Sequence, residues 1–579
     1  MSGPALSRRE FLIRVSSVSA VVAAGGVLSA CGGGGGGNGG GDGVAVDDSP
    51  MVRFDFGVAS GDPLEDRVIL WTHARFADSE ADVPLRFEVA RDAGFAEIVS
   101  SGDATASAAA GHTVKVDAAG LEVGREYFFR FRRGRWLSAV GRTRTLPAAG
   151  VAELKFAVFS CANYPAGFFQ VYGEAARSDA QYAIHLGDYL YEDGRDGFAT
   201  QHADELGRVS DPPTELLTLA DYRQRYRQYR GDPDLMNVHA RMPMIAVWDD
   251  HEVANDTWRE GAANHTEGVE GSFVERRAMA QQAWHEWMPV RTGTDPARIW
   301  RSFNFGGLAS LHMVDTRAQR DRQVSLGELL NPATTVEARA RIGSPTRQML
   351  GDEQMQWLLQ QVAASTATWQ VLGQQVLMSR IELPASLLTA LLLAAPSPDS
   401  RAAIERQVRD YVVARATPAE ARTAEQQALL DTNLNPRLGY NSDAWDGYPF
   451  ARERLLAAIA QMNKRLVVLA GDTHNAWYAD LTLAGLLDPA QADRKVGEEF
   501  ATTSVSSPGF EAELPVPPAL AEEVFESVVD DLKWMDASHR GYLKLSITPG
   551  QARADWIFVD TVLSRSYQVL EPHTEAFAA

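Results

Sequence analysis

The chain has 579 residues, of which 45% are hydrophobic and 23% are charged, and its formal net charge is −21. The length is several times that of a usual single domain and the composition is ordinary for globular proteins, which excludes a single small binding module and a wholly disordered chain. The acidic balance argues against sequence-specific nucleic-acid binding and favours bound divalent cations.

Residues 1–31 resemble a bacterial export signal. Arg8 and Arg9 form the pair typical of a twin-arginine signal, and a mildly apolar stretch follows them. Leu28–Cys31 resembles a lipobox, in which Cys31 is lipidated and becomes the first mature residue. We therefore predict export by the twin-arginine machinery, membrane anchoring through Cys31 and a periplasmic or cell-surface lipoprotein. A plain secretory signal is the alternative.

The cysteine count bears on the chemistry of the chain. Its two cysteines are Cys31 and Cys161, and a lipid on Cys31 leaves Cys161 without a partner for an internal disulfide. A lone thiol in an oxidising compartment is either buried and inert or a thiolate ligand of a metal. Because Cys161 directly follows a predicted strand, its position favours the ligand.

A glycine-rich linker at residues 32–50 leads into a strand-rich region at residues 51–147. Its apolar or alternating runs predict β-strands at Val68–Trp71, Leu85–Val89, Val114–Val116 and Tyr127–Phe131. Leu121, followed by Tyr127 after a glycine-containing turn, resembles the tyrosine corner of immunoglobulin-like domains. We predict an N-terminal immunoglobulin/fibronectin-like β-sandwich with no catalytic residues.

Residues 148–566 alternate apolar runs with helical or loop segments, which predicts an α/β domain. The runs are Phe156–Phe159, Tyr182–Leu186, Met244–Trp248, Leu311–Val314 and Leu466–Ala470. The segment 385–434 has helical spacing, and its apolar part, Leu387–Ala395, is too short to cross a membrane. Residues 567–579 are predicted to be a C-terminal tail.

Polar clusters directly follow four of the apolar runs, at Ser160–Asn163, Gly187–Glu192, Asp249–Glu252 and Gly471–Asn475. The carboxyl ends of such strands are where an open α/β sheet places its ligand site. A thiol, several carboxylates, a phenol and imidazoles would then share one crevice, where metal cations would offset the repulsion between carboxylates. Taken singly, each has an ordinary alternative: Cys161 as core filler, Asp188 and Asp472 as helix caps, and Tyr191 as a packed aromatic.

Three of these clusters resemble the ordered sequence blocks of calcineurin-like metallophosphoesterases. The matching residues are Gly187-Asp188 with Tyr191, then Asp250-His251-Glu252, then Gly471-Asp472 with His474. Two departures, Ser160-Cys161 where the superfamily usually begins with an Asp block and Asp250 in place of the usual Asn, resemble the PhoD-like alkaline phosphatases. That resemblance implies a metallophosphoesterase core of two packed mixed sheets flanked by helices over residues 148–566.

The resemblance also implies the metals and their ligands. Asp188 matches the carboxylate that bridges two metals, and Tyr191 and Cys161 match a phenolate and a thiolate on a ferric ion. Asp250 and Asp472 match ligands of a second metal, and His474 matches a ligand of the first. The implied cofactors are one Fe³⁺ and one or two Ca²⁺, with other divalent metals as alternatives.

His251 matches the histidine that stabilises the transferred phosphoryl group and protonates the leaving oxygen. Asn163, Asn255 and Arg317 are weaker candidates, for contacts either to substrate or to the ligands themselves. An arginine after a strand is also a common salt-bridge partner, so this alternative stays open for Arg317.

We predict a hydrolase of phosphoric esters of the alkaline phosphatase type, with attack by a metal-bound hydroxide and departure of the leaving group assisted by His251. A phosphodiesterase or phospholipase D-type enzyme of the same family is the nearest alternative, because no motif separates monoesters from diesters. The non-enzymatic alternative is a lipid-tethered surface binding protein. It predicts missing ligand residues, whereas this sequence keeps the set.

Overall fold

The structure is a computed structural model that describes residues 50–395 and 397–578. The predicted export signal, lipobox and most of the glycine-rich linker, including Arg8, Arg9 and Cys31, lie outside the described residues. The strands are β1 (Val52–Arg53), β2 (Val58–Gly61), β3 (Arg67–His73), β4 (Arg75–Phe76), β5 (Val83–Ala90), β6 (Ile98–Ala106), β7 (Thr113–Ala119), β8 (Glu126–Arg133), β9 (Trp136–Leu137), β10 (Gly141–Arg144), β11 (Leu154–Phe159), β12 (Tyr182–His185), β13 (Met244–Ala246), β14 (Arg301–Phe305), β15 (Ala309–Met313), β16 (Trp369–Gly373), β17 (Glu382–Pro384), β18 (Arg437–Gly439), β19 (Arg465–Ala470), β20 (Ala476–Thr482), β21 (Lys495–Ala501), β22 (Leu532–Asp536), β23 (Arg540–Ile547), β24 (Gln551–Val559) and β25 (His573–Ala578).

The α-helices lie between these strands in chain order. They are α1 (Gln170–Arg177), α2 (Ala203–Leu206), α3 (Leu219–Arg230), α4 (Pro233–Arg241), α5 (Phe273–Trp287), α6 (Leu326–Leu330), α7 (Thr335–Ile342), α8 (Gly351–Ala364), α9 (Ala385–Leu393), α10 (Pro398–Ala416), α11 (Ala424–Leu430), α12 (Pro449–Gln461), α13 (Phe510–Glu513) and α14 (Pro518–Val528). In the described ranges, no helix is both long and apolar enough to cross a membrane.

Two mixed sheets form the core. Sheet A has the strand order β25-β24-β23-β11-β12-β13-β2-β3-β7, and sheet B has the order β14-β15-β16-β19-β21-β20-β22. Strands β11, β12 and β13 run parallel in sheet A, and β15, β16, β19 and β21 run parallel in sheet B. Each sheet therefore presents several carboxyl ends on one edge, as an α/β core does. The predicted core of two mixed sheets with helices is confirmed.

The run Leu466–Ala470 shows why these strands are apolar throughout. Val467 and Leu469 belong to the hydrophobic cluster shared with sheet A, whereas Leu466 and Val468 belong to the cluster that includes helices α8 and α12. Successive side chains of a strand point to opposite faces, so a strand covered on both faces must be apolar at nearly every position.

The N-terminal region is continuous with the core. Strands β2, β3 and β7 extend sheet A through the pairing of Met244 in β13 with Gly61 in β2, while β10, β8, β5 and β6 form a separate sheet. Side chains of both groups of strands share one hydrophobic cluster. The backbone N–H of Glu122 donates to the Tyr127 hydroxyl at 2.8 Å, a corner contact of the kind that the sequence suggested. Sheet A thus contains strands from both sides of the predicted boundary at residue 147. The assignment of residues 51–147 as an immunoglobulin-like sandwich stays a prediction.

Two other segments differ in detail from the sequence reading. Residues 567–579, predicted to be a tail, contribute β25 to the edge of sheet A beside β24. Phe577 there packs on Trp369 with ring centroids 5.5 Å apart, which explains why this end is a strand. The segment 385–434 is helical as expected, over α9, α10 and α11.

Candidate metal centre and active site

The four polar clusters meet because both sheets end at the same place. Ser160–Asn163, Gly187–Glu192 and Asp249–Glu252 follow β11, β12 and β13 of sheet A, whereas Gly471–Asn475 follows β19 of sheet B. The loop after β21 of sheet B joins the two edges, since the N–H of Val505 donates to the Ser160 carbonyl at 3.0 Å. The crevice therefore lies between two packed sheets.

Glycines allow these loops to approach closely. Gly187 has φ +110°, and a Cβ there would lie 2.4 Å from the Cβ of Asp249. A Cβ on Gly471 would lie 2.5 Å from the Cβ of Ser160. In both Gly-Asp pairs the glycine thus lets the next aspartate reach a neighbouring loop.

Four candidate ligands have left-handed backbone conformations. The φ angles are 59° for Cys161, 52° for Asp188, 65° for Asp472 and 63° for His474. Such conformations are uncommon for residues other than glycine and persist only where the surrounding structure enforces them. Their concentration at these strand ends marks the crevice as a functional site.

The first group of ligand atoms, which we call the cysteine half, comprises Cys161, Asp188, Tyr191 and His474. One potential ligand atom from each of Cys161, Asp188 and His474 lies within 4.8 Å of the others, and all three residues are buried. The Tyr191 hydroxyl lies 3.1 Å from Asp188 Oδ2 and 3.0 Å from His474 Nε2.

The hydrogen-bonding atoms of this group fit a bound cation. His474 Nδ1 lies 2.7 Å from the Pro508 carbonyl, which can only accept, so Nδ1 carries the proton and Nε2 presents a lone pair. Burial lowers the pKa of His474 to about 3, so the ring stays neutral. The single Tyr191 proton cannot serve both His474 Nε2 and Asp188 Oδ2. The Ser507 hydroxyl, 2.7 Å from Tyr191, has a second acceptor in the Cys161 carbonyl at 2.9 Å. A metal ion among these atoms would satisfy all of them.

The thiol and the phenol need such an ion before they can ionise. Burial, together with the Asp188 carboxylate, raises the pKa of Cys161 well above its ordinary value. Burial and Asp188 also raise the pKa of Tyr191 well above its ordinary value. Both side chains can become anionic ligands only beside a strong positive charge.

Asp188 also belongs to a second group, with Asp250 and His251, and Asp250 belongs to a third, with Asp249 and Asp472. The groups therefore overlap at Asp188 and Asp250. Asp188 Oδ1, Asp249 Oδ2 and Asp250 Oδ1 are buried without a hydrogen-bond donor. Burial raises the pKa of Asp472 to about 6, an effect that Arg317 opposes and Asp443 strengthens. Oxygen-rich groups with open lone pairs fit a hard cation.

Arg317 contacts the carboxylates of the third group rather than the ligand atoms of the cysteine half. Its buried guanidinium contacts Asp249, Asp443 and Asp472, and one nitrogen lies 3.4 Å from Asp250 Oδ1. We call this set of four aspartates with Arg317 the arginine half. Arg320 adds a second cation, 2.6 Å from Asp443 Oδ1. Carboxylates surround the donors of Arg317 in this structure, and its predicted contact with substrate stays a prediction.

His251 is held by a residue to which the sequence reasoning gave no role. Its Nδ1 lies 2.6 Å from Glu192 Oε2, and the other Glu192 oxygen accepts from the Asn255 N–H at 2.7 Å and from Asn264 Nδ2 at 2.8 Å. Burial would lower the pKa of His251, but the carboxylates of Glu192, Asp188 and Asp250 raise it well above its ordinary value. Nε2 is then left to face the second group of ligand atoms.

Comparisons with known proteins agree with this site. The family described as PhoD-like phosphatase matches residues 156–556, and the family described as the N-terminal domain of PhoD-like phosphatases matches residues 43–147. The chain belongs to the PhoD-like phosphatase family. It is 34% identical over 522 residues to alkaline phosphatase D of Bacillus subtilis (strain 168), an alignment covering 87% of this chain and 77% of that protein. A solved structure titled "Structure of PhoD" is 30% identical, with a TM-score of 0.72 over 92% of this chain and 91% of that one.

Membership fixes the reaction class. This PhoD-like phosphatase is a metal-dependent hydrolase of phosphoric esters. The resemblance drawn from the sequence blocks is confirmed, as is the predicted enzyme class. The individual roles of Cys161, Asp188, Tyr191, Asp250, Asp472, His474 and His251 stay predictions, although the structure brings all seven together.

The two asparagines predicted as weaker site candidates occupy different places. Asn255 lines the cavity of the phosphatase, whereas Asn163 is buried, with its Nδ2 3.1 Å from the Phe198 carbonyl. Asn163 thus tethers a loop in this structure. Glu252, part of the matched block but given no role, accepts from the backbone N–H groups of Asp188 and Asp249 at 3.0 and 2.6 Å. It fixes the spacing of two ligand loops.

The ligand groups form one face of a cavity of about 680 Å³. Carboxylates, His251, His474 and several asparagines line this polar face. Leucines of α9 and side chains of α13 and α14 also line the cavity. The sequence predicted helical structure in the segment that contains α9, but it gave no sign that this helix borders the site.

Proposed function

We propose that the cavity hydrolyses phosphate monoesters of the alkaline phosphatase type, with phosphodiesters and phospholipase D-type substrates as the nearest alternative. The proposal rests on the overlap of three groups of ligand atoms at the cavity. Metal ions held by these groups would place positive charge where a phosphoryl group would bind. A purely binding protein would have no use for left-handed ligands and orphaned carboxylate oxygens.

We propose one ferric ion for the cysteine half and one or two calcium ions at Asp250 and Asp472, with Asp188 shared between the two kinds of metal. The thiol and phenol of Cys161 and Tyr191 are electron-rich donors suited to an oxidised iron, whereas carboxylate oxygens suit calcium. When bound, these metals supply positive charge for the phosphoryl oxygens and acidity for a water molecule.

His251 is the proposed acid for the leaving oxygen. Glu192 accepts from Nδ1–H, which fixes the ring, and the neighbouring carboxylates favour the doubly protonated imidazolium, so that Nε2–H can donate towards the cavity. The clamp on Glu192 by the Asn255 N–H and Asn264 holds this orientation. Asn255 also borders the cavity, where its amide can contact a phosphoryl oxygen.

A substrate panel tests the proposal. The protein is purified after native export, and turnover of 4-nitrophenyl phosphate is compared with that of bis(4-nitrophenyl) phosphate at equal concentrations. We expect hydrolysis of at least one, lost on chelation and restored by iron with calcium. A higher kcat/KM for the diester would select the phosphodiesterase alternative, and no turnover of either by metal-replete protein would contradict the function.

Export and anchoring are part of the proposal. We propose that the twin-arginine machinery exports the chain and that lipidated Cys31 tethers it in the periplasm or at the cell surface, on the basis of the sequence resemblance alone. Replacing Arg8 and Arg9 by Lys should leave active enzyme in the cytoplasm, measured by activity in cell fractions. Normal surface or periplasmic activity of that variant would contradict this part.

A further inference from the structure

The cavity has two chemically different faces. The polar part of its lining carries the ligand groups, whereas an apolar wall is made by Leu388, Leu391 and Leu392 of α9, with Phe510 and Leu514 from the α13 region. A phosphoryl group needs only polar contacts and occupies a small part of about 680 Å³, a volume in the range of pockets for ligands of drug size. The apolar wall therefore faces space that the phosphoryl group does not fill.

The position of α9 is fixed by the strands at its base. Strand β17, which precedes α9, pairs with β18, so the chain leaves and returns at one point. The Ala385 N–H donates to the Pro436 carbonyl at 2.8 Å, and the Ser386 N–H donates to Asn435 Oδ1 at 3.0 Å. These contacts hold the first turn of α9 against the residues just before β18, the strand that leads back to the site.

The chain after β18 returns directly to the polar face. Asn441 Nδ2 lies 3.3 Å from Asp472 Oδ2, and Asp443 contacts Arg317. The segment that leaves at β17 and returns at β18 thus supplies the apolar wall at its start, and the residues just after it supply polar groups. The wall and the ligand groups are parts of one built site.

Aromatic packing makes the wall rigid. The Phe510 ring lies 5.5 Å from that of Tyr440 and 5.4 Å from that of Phe525, centroid to centroid. The preceding residues Ser507 and Pro508 contact Tyr191 and His474, which ties Phe510 to the cysteine half. A preformed apolar surface gains affinity from an apolar group with little ordering cost.

We propose that α9 is a specificity element that binds an apolar organic group of the phosphoester, alkyl or aryl, against Leu388, Leu391 and Leu392 while the phosphoryl group lies on the polar face. This inference rests on the proposed function and names its substrate class. A sugar or polyol phosphate would leave its hydroxyl groups unpaired against the leucines, which disfavours polar alcohols.

A homologous series tests the inference with the leaving group held constant. The diester substrates are methyl, ethyl, butyl and hexyl 4-nitrophenyl phosphate. A second series, the alkyl phosphates of the same chain lengths, tests monoesters, and their turnover is measured as released inorganic phosphate. We expect kcat/KM to rise about two- to fourfold per methylene until the wall is covered, the range set by partial to full burial of each CH₂. A kcat/KM independent of chain length in both series would overturn the inference.

Two neighbouring leucines of α9 give a matched pair of variants. Leu392 lines the cavity and is half-buried, whereas Leu393 is 75% exposed and lies outside the lining. Leu392→Gln should flatten the dependence of kcat/KM on chain length, because it places a polar amide where the alkyl group would pack. Leu393→Gln should keep the parent's dependence. Equal slopes in the two variants would overturn the assignment of α9.

The two failures are distinguishable. Turnover of the methyl substrate or of methyl phosphate without any chain-length effect contradicts the specificity inference and leaves the phosphatase function intact. No turnover of any short substrate by metal-replete protein contradicts the function itself. Thermal melting of both variants near the parent value shows that altered slopes do not come from unfolding.

Discussion

The two halves of the site solve the same electrostatic problem in different ways. The arginine half packs four aspartates around Arg317, so that buried carboxylates meet a cation that the chain itself provides. The cysteine half is held by neutral groups, the Ser507 hydroxyl and the Pro508 carbonyl, and has one phenolic proton for two acceptors. The difference teaches that the cysteine half depends on a metal for its positive charge, whereas the arginine half shares its carboxylates between Arg317 and the proposed calcium, and Asp188 joins the two halves.

Removal of the shared carboxylate should have the largest effect. Asp188→Asn keeps the shape but loses the charge common to two ligand groups, and we expect kcat to fall at least about a thousandfold with circular dichroism unchanged. Asp103→Asn, at a side chain that is 90% exposed, is the control and should retain parent activity. Activity of Asp188→Asn within tenfold of the parent would contradict the role of Asp188 as a carboxylate shared by the two ligand groups.

Removal of the arginine should act on stability first. Arg317→Gln leaves the buried Asp249 and Asp250, and Asp472 beside them, without this guanidinium, whereas Asp443 keeps Arg320. Loss of one partner of a buried ion pair costs about 3–5 kcal/mol. We expect the free energy of unfolding in denaturant to fall by that order in chelated protein and by less in metal-loaded protein, because cations replace the lost charge. Cys161→Ser should show the opposite pattern, with little loss in chelated protein. Equal losses for both variants in both states would erase the distinction between the halves.

Glu192 should have a smaller, kinetic effect. Glu192→Gln keeps a hydrogen-bond acceptor for His251 Nδ1 but removes the charge, whereas Glu192→Ala removes both. We expect kcat to fall about tenfold and about a hundredfold respectively, with KM nearly constant, as for other residues that orient a functional side chain. Measured at several pH values, the two variants should keep this order. A KM effect without a kcat effect would make Glu192 a substrate-binding residue.

Several core strands could be predicted from the sequence because buried strands require apolar residues at nearly every position. Continuous apolar runs such as Leu466–Ala470 predicted strands covered on both faces, and the polar residues after them predicted the crevice. Two core strands, β16 and β21, were not among the predicted runs, since Gln370 in β16 and Glu498 and Glu499 in β21 interrupt their apolar pattern. Buried polar partners compensate there, as in the contact of Glu499 with the Ser379 hydroxyl at 2.6 Å.

Long-range pairing and site details could not be read in the same way. The union of β2 with β13 depends on a contact between residues 61 and 244, and no local pattern encodes it. The clamp on His251 was also invisible, because Glu192 acquires its role only when Asn264, 72 positions away, folds against it. The sequence offered Arg317 as a phosphate contact or a salt bridge, and the ion pairs with distant aspartates such as Asp443 and Asp472 appear only in the folded structure.

The visible spectrum and metal content of the purified protein test the central claim most directly. Ligation of Fe³⁺ by the Tyr191 phenolate and the Cys161 thiolate should colour the protein through ligand-to-metal charge transfer, which calcium and zinc cannot produce. The account predicts about one iron per chain, a band that Tyr191→Phe shifts or bleaches with the fold retained, and a lower iron content in Cys161→Ser. A colourless, iron-free and fully active enzyme would contradict it, and would leave Tyr191 and Cys161 as packed residues of the core.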